Sequence, residues 1–169
     1  MSGKVEVVTE KIFEAALSIG TPWYIAGINF DESQRKLKIR VDFELGSRFA
    51  VPGDSAEHPV HDTVTKTYRH LNFFQHECEL EVRVPRVKLP DGSVRQVNPP
   101  WAGKLSGFTL LFEAFVLLLC REMPFSGVAR ITGVSVHRVM ALCARYVDAA
   151  VAAADLSEVR RLAIDETSR

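Results

Sequence analysis

Cysteine is scarce in this chain, with three in 169 residues, and the three stand far apart at Cys78, Cys120 and Cys143. An odd, scattered set with no signal peptide before it argues against a disulfide framework and favours a reducing cytoplasm. Long apolar runs are missing too. The longest, residues 108–120, is interrupted by Glu113 and falls short of the ~20 residues that a membrane span requires. There is no excess charge of either sign, since 21 Lys and Arg balance 21 Asp and Glu. No global field therefore draws the chain to nucleic acid or anionic lipid, and any such binding must come from a local patch. What is present is ordinary globular composition, 47% hydrophobic and 25% charged, enough for one domain or two small ones.

Residues 11–19 (KIFEAALSI) carry apolar side chains at helical spacing, and Gly20 with Pro22 stops them. Residues 23–30 and 36–43 read as strands, and the turn residues Asp31-Glu32-Ser33-Gln34 between them predict a hairpin. Residues 46–63 are rich in Gly, Pro, Asp and His and read as a loop or knuckle. Residues 78–87 alternate as a strand, which Pro85 pushes toward a sheet edge. Pro90-Asp91-Gly92-Ser93 is a turn from which residues 94–97 can pair back. Pro99-Pro100 marks the best boundary, with helix expected from there to Asp155. The expected organisation is an α+β module at 1–98, a helical module at 99–155 and the opening strand of a third unit at 156–169.

The helical module holds the clearest motif. Residues 125–132 (FSGVARIT) precede Gly133-Val134-Ser135, and a second helix then runs over 136–150. Gly133 supplies a tight turn, Ser135 a hydroxyl cap and Pro124 a suitable helix start, which together predict a helix-turn-helix, with a plain helical hairpin in a bundle as the alternative. In such a motif the leading residues of the second helix enter the major groove: here Ser135, Val136, His137, Met140 and Ala141. Arg130, Arg138 and Arg145 are placed to contact phosphates. Val136 and Met140 cannot make the bidentate base contacts of Arg or Asn. The nearly all-apolar run 108–120 predicts a central helix, and Cys120 and Cys143 read as buried structural thiols.

Two turns, Val51-Pro52-Gly53-Asp54 and Leu89-Pro90-Asp91-Gly92, sit where a zinc ribbon would carry Cys-x-x-Cys pairs, yet neither contains cysteine. His58-x-x-His61, with His70, His76 and Cys78 downstream, is a weak metal spacing. Arg83, Arg86, Lys88, Arg95 and Lys104 form a basic stretch that reads either as a DNA-tracking surface or as a solvated edge. Finally, residues 160–169 (RRLAIDETSR) read as a short strand delivering the carboxylate of Asp165. One carboxylate cannot hold the two ions of a phosphoryl-transfer site.

Taken together, Val60-His61-Asp62-Thr63, the run Tyr68-Arg69-His70-Leu71-Asn72-Phe73-Phe74-Gln75-His76, Arg83-Val84-Pro85-Arg86-Val87, Val94-Arg95-Gln96-Val97, Pro100-Trp101-Ala102, Gly107-Phe108-Thr109, the helix pair and Leu162-Ala163-Ile164-Asp165-Glu166 resemble the N-terminal part of an insertion-sequence transposase of the ISL-three family. The resemblance implies a zinc-ribbon-like module, a helix-turn-helix and the start of an RNase H-like DDE domain. It also implies binding to double-stranded DNA at terminal inverted repeats, Mg²⁺ for the complete enzyme, and Asp165 as first catalytic carboxylate. The chain departs from the family at Val51, Asp54, Leu89 and Gly92, where zinc cysteines would stand, so zinc is not expected. Phe49, Val51, Phe73, Leu80, Val82 and Leu89 are the expected hydrophobic substitute. With the other triad carboxylates missing, the expectation is a truncated, catalytically incomplete, cytoplasmic and nucleoid-associated bacterial DNA-binding protein without membrane contact. Two alternatives stay open: the targeting half of an enzyme completed by a downstream frame, and a protein-interaction module that regulates an intact transposase. Expected protein partners are an intact transposase or, in a homo-oligomer, further copies of this chain.

Overall fold

A computed structural model describes residues 2–105 and 107–155. The protein is α+β, with a mixed sheet and several helices. Helix α1 (Ser2–Leu17) leads into β1 (Trp23–Asp31) and β2 (Lys36–Phe43), the predicted antiparallel hairpin. Then follow β3 (Arg48–Val51), β4 (Asp54–Phe73), β5 (His76–Lys88) and β6 (Val94–Gln96). The sheet order is β1-β2-β5-β4-β3, with β6 on β5, and of the strand pairings among the described residues only β2–β5 is parallel.

Two features of the sheet depart from the sequence reading. Residues 46–63 are not a knuckle: β3 and the first half of the 20-residue β4 form a hairpin there, closed by Pro52-Gly53 with Gly53 at φ +88°. Their Gly, Pro and Asp content belongs to two turns, at Leu45-Gly46 and at Pro52-Gly53, and to one strand with a register shift between Val60 and Asp62. Pro85 is not at an edge either. β5 is central, and Pro85 lies just beyond Val82, where pairing with β2 ends. Its carbonyl accepts from Val97 N–H on the β6 side, so the missing proline N–H falls in the gap between two partner strands.

Strand alternation sorts the sheet into two faces. Leu37, Ile39, Val41 and Phe43 of β2 and Cys78, Leu80, Val82 and Val84 of β5 point into one core, with Trp23, Ile25, Phe49, Val51, Leu89 and Trp101. Truncating a fully buried member such as Ile39 to Ala would cost roughly 2–5 kcal/mol. Of the six residues expected to replace a metal, five are in this core. Phe73 is the exception: it is partly exposed and packs on Phe13 of α1. The opposite face is a charge ladder, with Lys36–Glu79 at 2.6 Å, Arg83–Asp42 at 3.1 Å and Lys38–Glu81 at 3.5 Å.

Residues 97–105 and 107–109 are not helical but stitch the helices to the sheet. Trp101 packs edge-on against Trp23 at 5.2 Å, Arg69 N–H donates to Gly107 O and Thr109 N–H to Arg69 O. Helices α2 (Leu110–Glu122), α3 (Phe125–Thr132) and α4 (Val136–Ala153) follow. They bury Phe108, Phe112, Val116, Val128, Val134, Val139 and Leu142 in a second core. No helix among the described residues is long and apolar enough to cross a membrane.

Candidate nucleic-acid interface

The predicted turn between α3 and α4 is built from three residues. Gly133 adopts φ +69°, a conformation that costs a side-chain-bearing residue free energy, and its N–H donates to Ala129 O. Val134 is buried in the second core. Ser135 caps α4, its hydroxyl accepting from Arg138 N–H at 3.4 Å. Inside the turn, the Thr132 hydroxyl donates to Val128 O at 2.8 Å.

With Val139 and Leu142 buried, the opposite face of α4 must be solvent-facing. Ser135, Val136, His137, Met140, Ala141 and Ala144 are all exposed, as are Arg130 on α3 and Arg145 on α4. Arg138 has a different setting. Although exposed, its guanidinium lies 3.9 Å from the centroid of the Phe108 ring, toward the sheet. It lines a groove of about 460 Å³ with Arg69, Glu77, Glu79 and Gly133. A Cβ added at Gly133 would sit 3.4 Å from Glu77 Oε1, so the turn rests beside the start of β5.

Three residues whose structural roles the sequence did not reveal hold this arrangement. Glu113 is fully buried, and its carboxylate accepts from Lys104 N–H (2.9 Å), Leu105 N–H (2.6 Å) and Tyr146 O–H (2.7 Å). That joins α2, the incoming loop and α4. Gly103 is required there because any Cβ would overlap the Glu113 carboxyl. Burial, then the Glu113 hydrogen bond, pushes the Tyr146 phenol up to about 12. Arg69 donates to His70 O, Cys78 O and Asn72 Oδ1 and lies over Phe112. Thr109 caps α2 by accepting from Phe112 N–H and meets His70 Nδ1 at 2.8 Å. The only sequence signal for this node was a lone carboxylate inside an apolar run.

The run from Tyr68 to His76 forms the β4–β5 hairpin, with Phe74 and Gln75 at φ +46° and +67° in its two-residue turn. Four of the five residues of the basic stretch are occupied locally. Arg83 pairs with Asp42, Arg86 with Asp62, Arg95 Nη1 reaches Pro52 O, and Lys104 sits over the Tyr146 ring. Cys120 and Cys143 are half-buried rather than buried, and contact each other across α2 and α4.

At the two cysteine-free turns, Val51 and Leu89 are buried in the first core and offer no ligand atom, so the residues there do not fit tetrahedral zinc. His58 is engaged by Asp54 at 3.0 Å. Among the described residues no group of three or more His, Cys, Asp or Glu is placed to hold a metal ion. Asp165, with the rest of 156–169, lies outside the described residues.

Residues 97–147 match the family described as the helix-turn-helix domain of transposase family ISL3. The match covers the stitching segment, α2, α3 and most of α4, and it supports the resemblance to the N-terminal part of an ISL3-family transposase. No curated protein and no solved structure matches the chain.

Proposed function

We propose that this chain is the DNA-binding part of a transposase, gripping duplex DNA at transposon terminal inverted repeats through α4. The observation that carries this reading is the coincidence of the family match with a capped turn that leaves the leading face of α4 exposed. Arg130 and Arg145 flank that face and supply phosphate contacts, which position the helix without reading sequence. Arg138 contributes indirectly, by holding α4 against Phe108. The neutral charge ladder on the sheet leaves the helices as the DNA-facing side.

The test is a mobility shift with duplexes carrying the terminal inverted repeats of ISL3-family elements, against scrambled duplexes of equal length. Tighter binding to the repeats supports the reading. Equal binding to both would leave a non-specific DNA binder, and no binding at low salt would refute it.

A further inference from the structure

The leading face of α4 has an unusual chemistry for a base-reading surface. At 3.6 residues per turn, Val136, Met140 and Ala144 follow one another along one row, and His137 and Ala141 form the row beside it. All five are exposed, Val136 by 38% and Met140 by 48%. Four of them are apolar, and His137 is the one polar side chain among them. The two arginines of α4 are on another row, seven residues apart, and Arg138 is laid over Phe108. The face therefore has no fork of donors for guanine O6 and N7, and no amide for adenine N6 and N7.

One feature of the major groove is itself apolar: the C5-methyl group of thymine. Alanine at two of the five positions lets the helix approach the bases closely, and Val136 and Met140 project apolar atoms where methyl groups would lie. Resting on the DNA-binding reading above, we infer that α4 reads thymine by apolar contact with its methyl groups. Val136 and Met140 are the specificity-determining residues. The preferred sites are then duplexes with thymines spaced to meet one helical turn of protein, and His137 adds at most a single hydrogen bond to a neighbouring base.

Uracil differs from thymine only in lacking that methyl, which makes the test direct. A random-core duplex pool is enriched on the full chain, and bound sequences are resynthesised with dT or with dU. Affinities are compared by fluorescence anisotropy. The expected result is a loss of about fourfold per contacted methyl on going to dU, the equivalent of one buried methyl-sized group. A chain carrying both Val136→Ser and Met140→Ser should bind the dT and dU forms equally. Equal affinity of the unaltered chain for both forms overturns the inference while leaving DNA binding standing. So does a thymine preference that survives the double substitution. If neither form binds at low salt, the DNA-binding reading itself fails. If the forms bind equally and the double substitution abolishes self-association in sedimentation, the face is a protein-docking surface, and the inference is wrong.

Discussion

Arg138 stands over the ring of Phe108, 3.9 Å from its centroid, and so ties the first turn of α4 to the segment that joins the helices to the sheet. The same residue reads from sequence as a phosphate contact. Removing it should disturb the placement of α4 more than its charge count. Arg138→Ala is expected to lower stability by about 1 kcal/mol, the scale of a partly desolvated cation–π contact. Arg145→Ala, at an exposed position, should change it by less than half of that. Thermal melts of the two variants compare these values directly, and equal melting temperatures would remove the distinction.

Glu113 anchors three donors from different parts of the chain, two of them backbone N–H groups. In Glu113→Gln, one carboxylate oxygen becomes an NH₂ that faces a donor. The expected loss is roughly 3 kcal/mol in urea unfolding, the cost of leaving buried groups unsatisfied. Tyr146→Phe removes a single bond to the carboxylate and should cost less, about 2 kcal/mol. A Glu113→Gln chain as stable as the parent would show that the carboxylate is not the anchor.

His70 gives a pH dependence with a definite sign. Burial first, and then the neighbouring Arg69 charge, lower its pKa from 6.5 to about 4. The unfolded chain therefore takes up a proton that the folded one resists. Stability from this residue is complete above pH 6.5 and is lost as pH falls toward 4, by up to about 3 kcal/mol. A urea series between pH 7 and 4 should show this decline, and His70→Gln should flatten it. An unchanged slope in the variant would assign the decline to other groups.

Where a local pattern determined the structure, it was readable in the sequence. The β1–β2 hairpin, the turn at Gly133 and the Ser135 cap need only short-range spacing, turn chemistry and one left-handed residue. Long-range pairing was not readable. Nothing in residues 46–63 announces that their Gly, Pro and Asp residues serve a strand of 20 residues, because its partners are β3 and β5. Pro85 misled for a related reason: its tolerance depends on where β2 stops and β6 starts. The exposed face of α4 was legible from helical period. The Glu113 node was not, since a carboxylate buried in an apolar helix makes sense only once Lys104, Leu105 and Tyr146 are brought to it.

The central claim is that α4 presents its leading face to a DNA duplex, with Arg130 and Arg145 on the phosphates. The most direct measurement is the dependence of duplex affinity on salt for the parent chain, Arg130→Ala and Arg145→Ala. The account predicts affinity falling steeply with salt, and a log–log slope reduced by about one in each variant. Slopes identical in all three chains, or no binding at low salt, would contradict it.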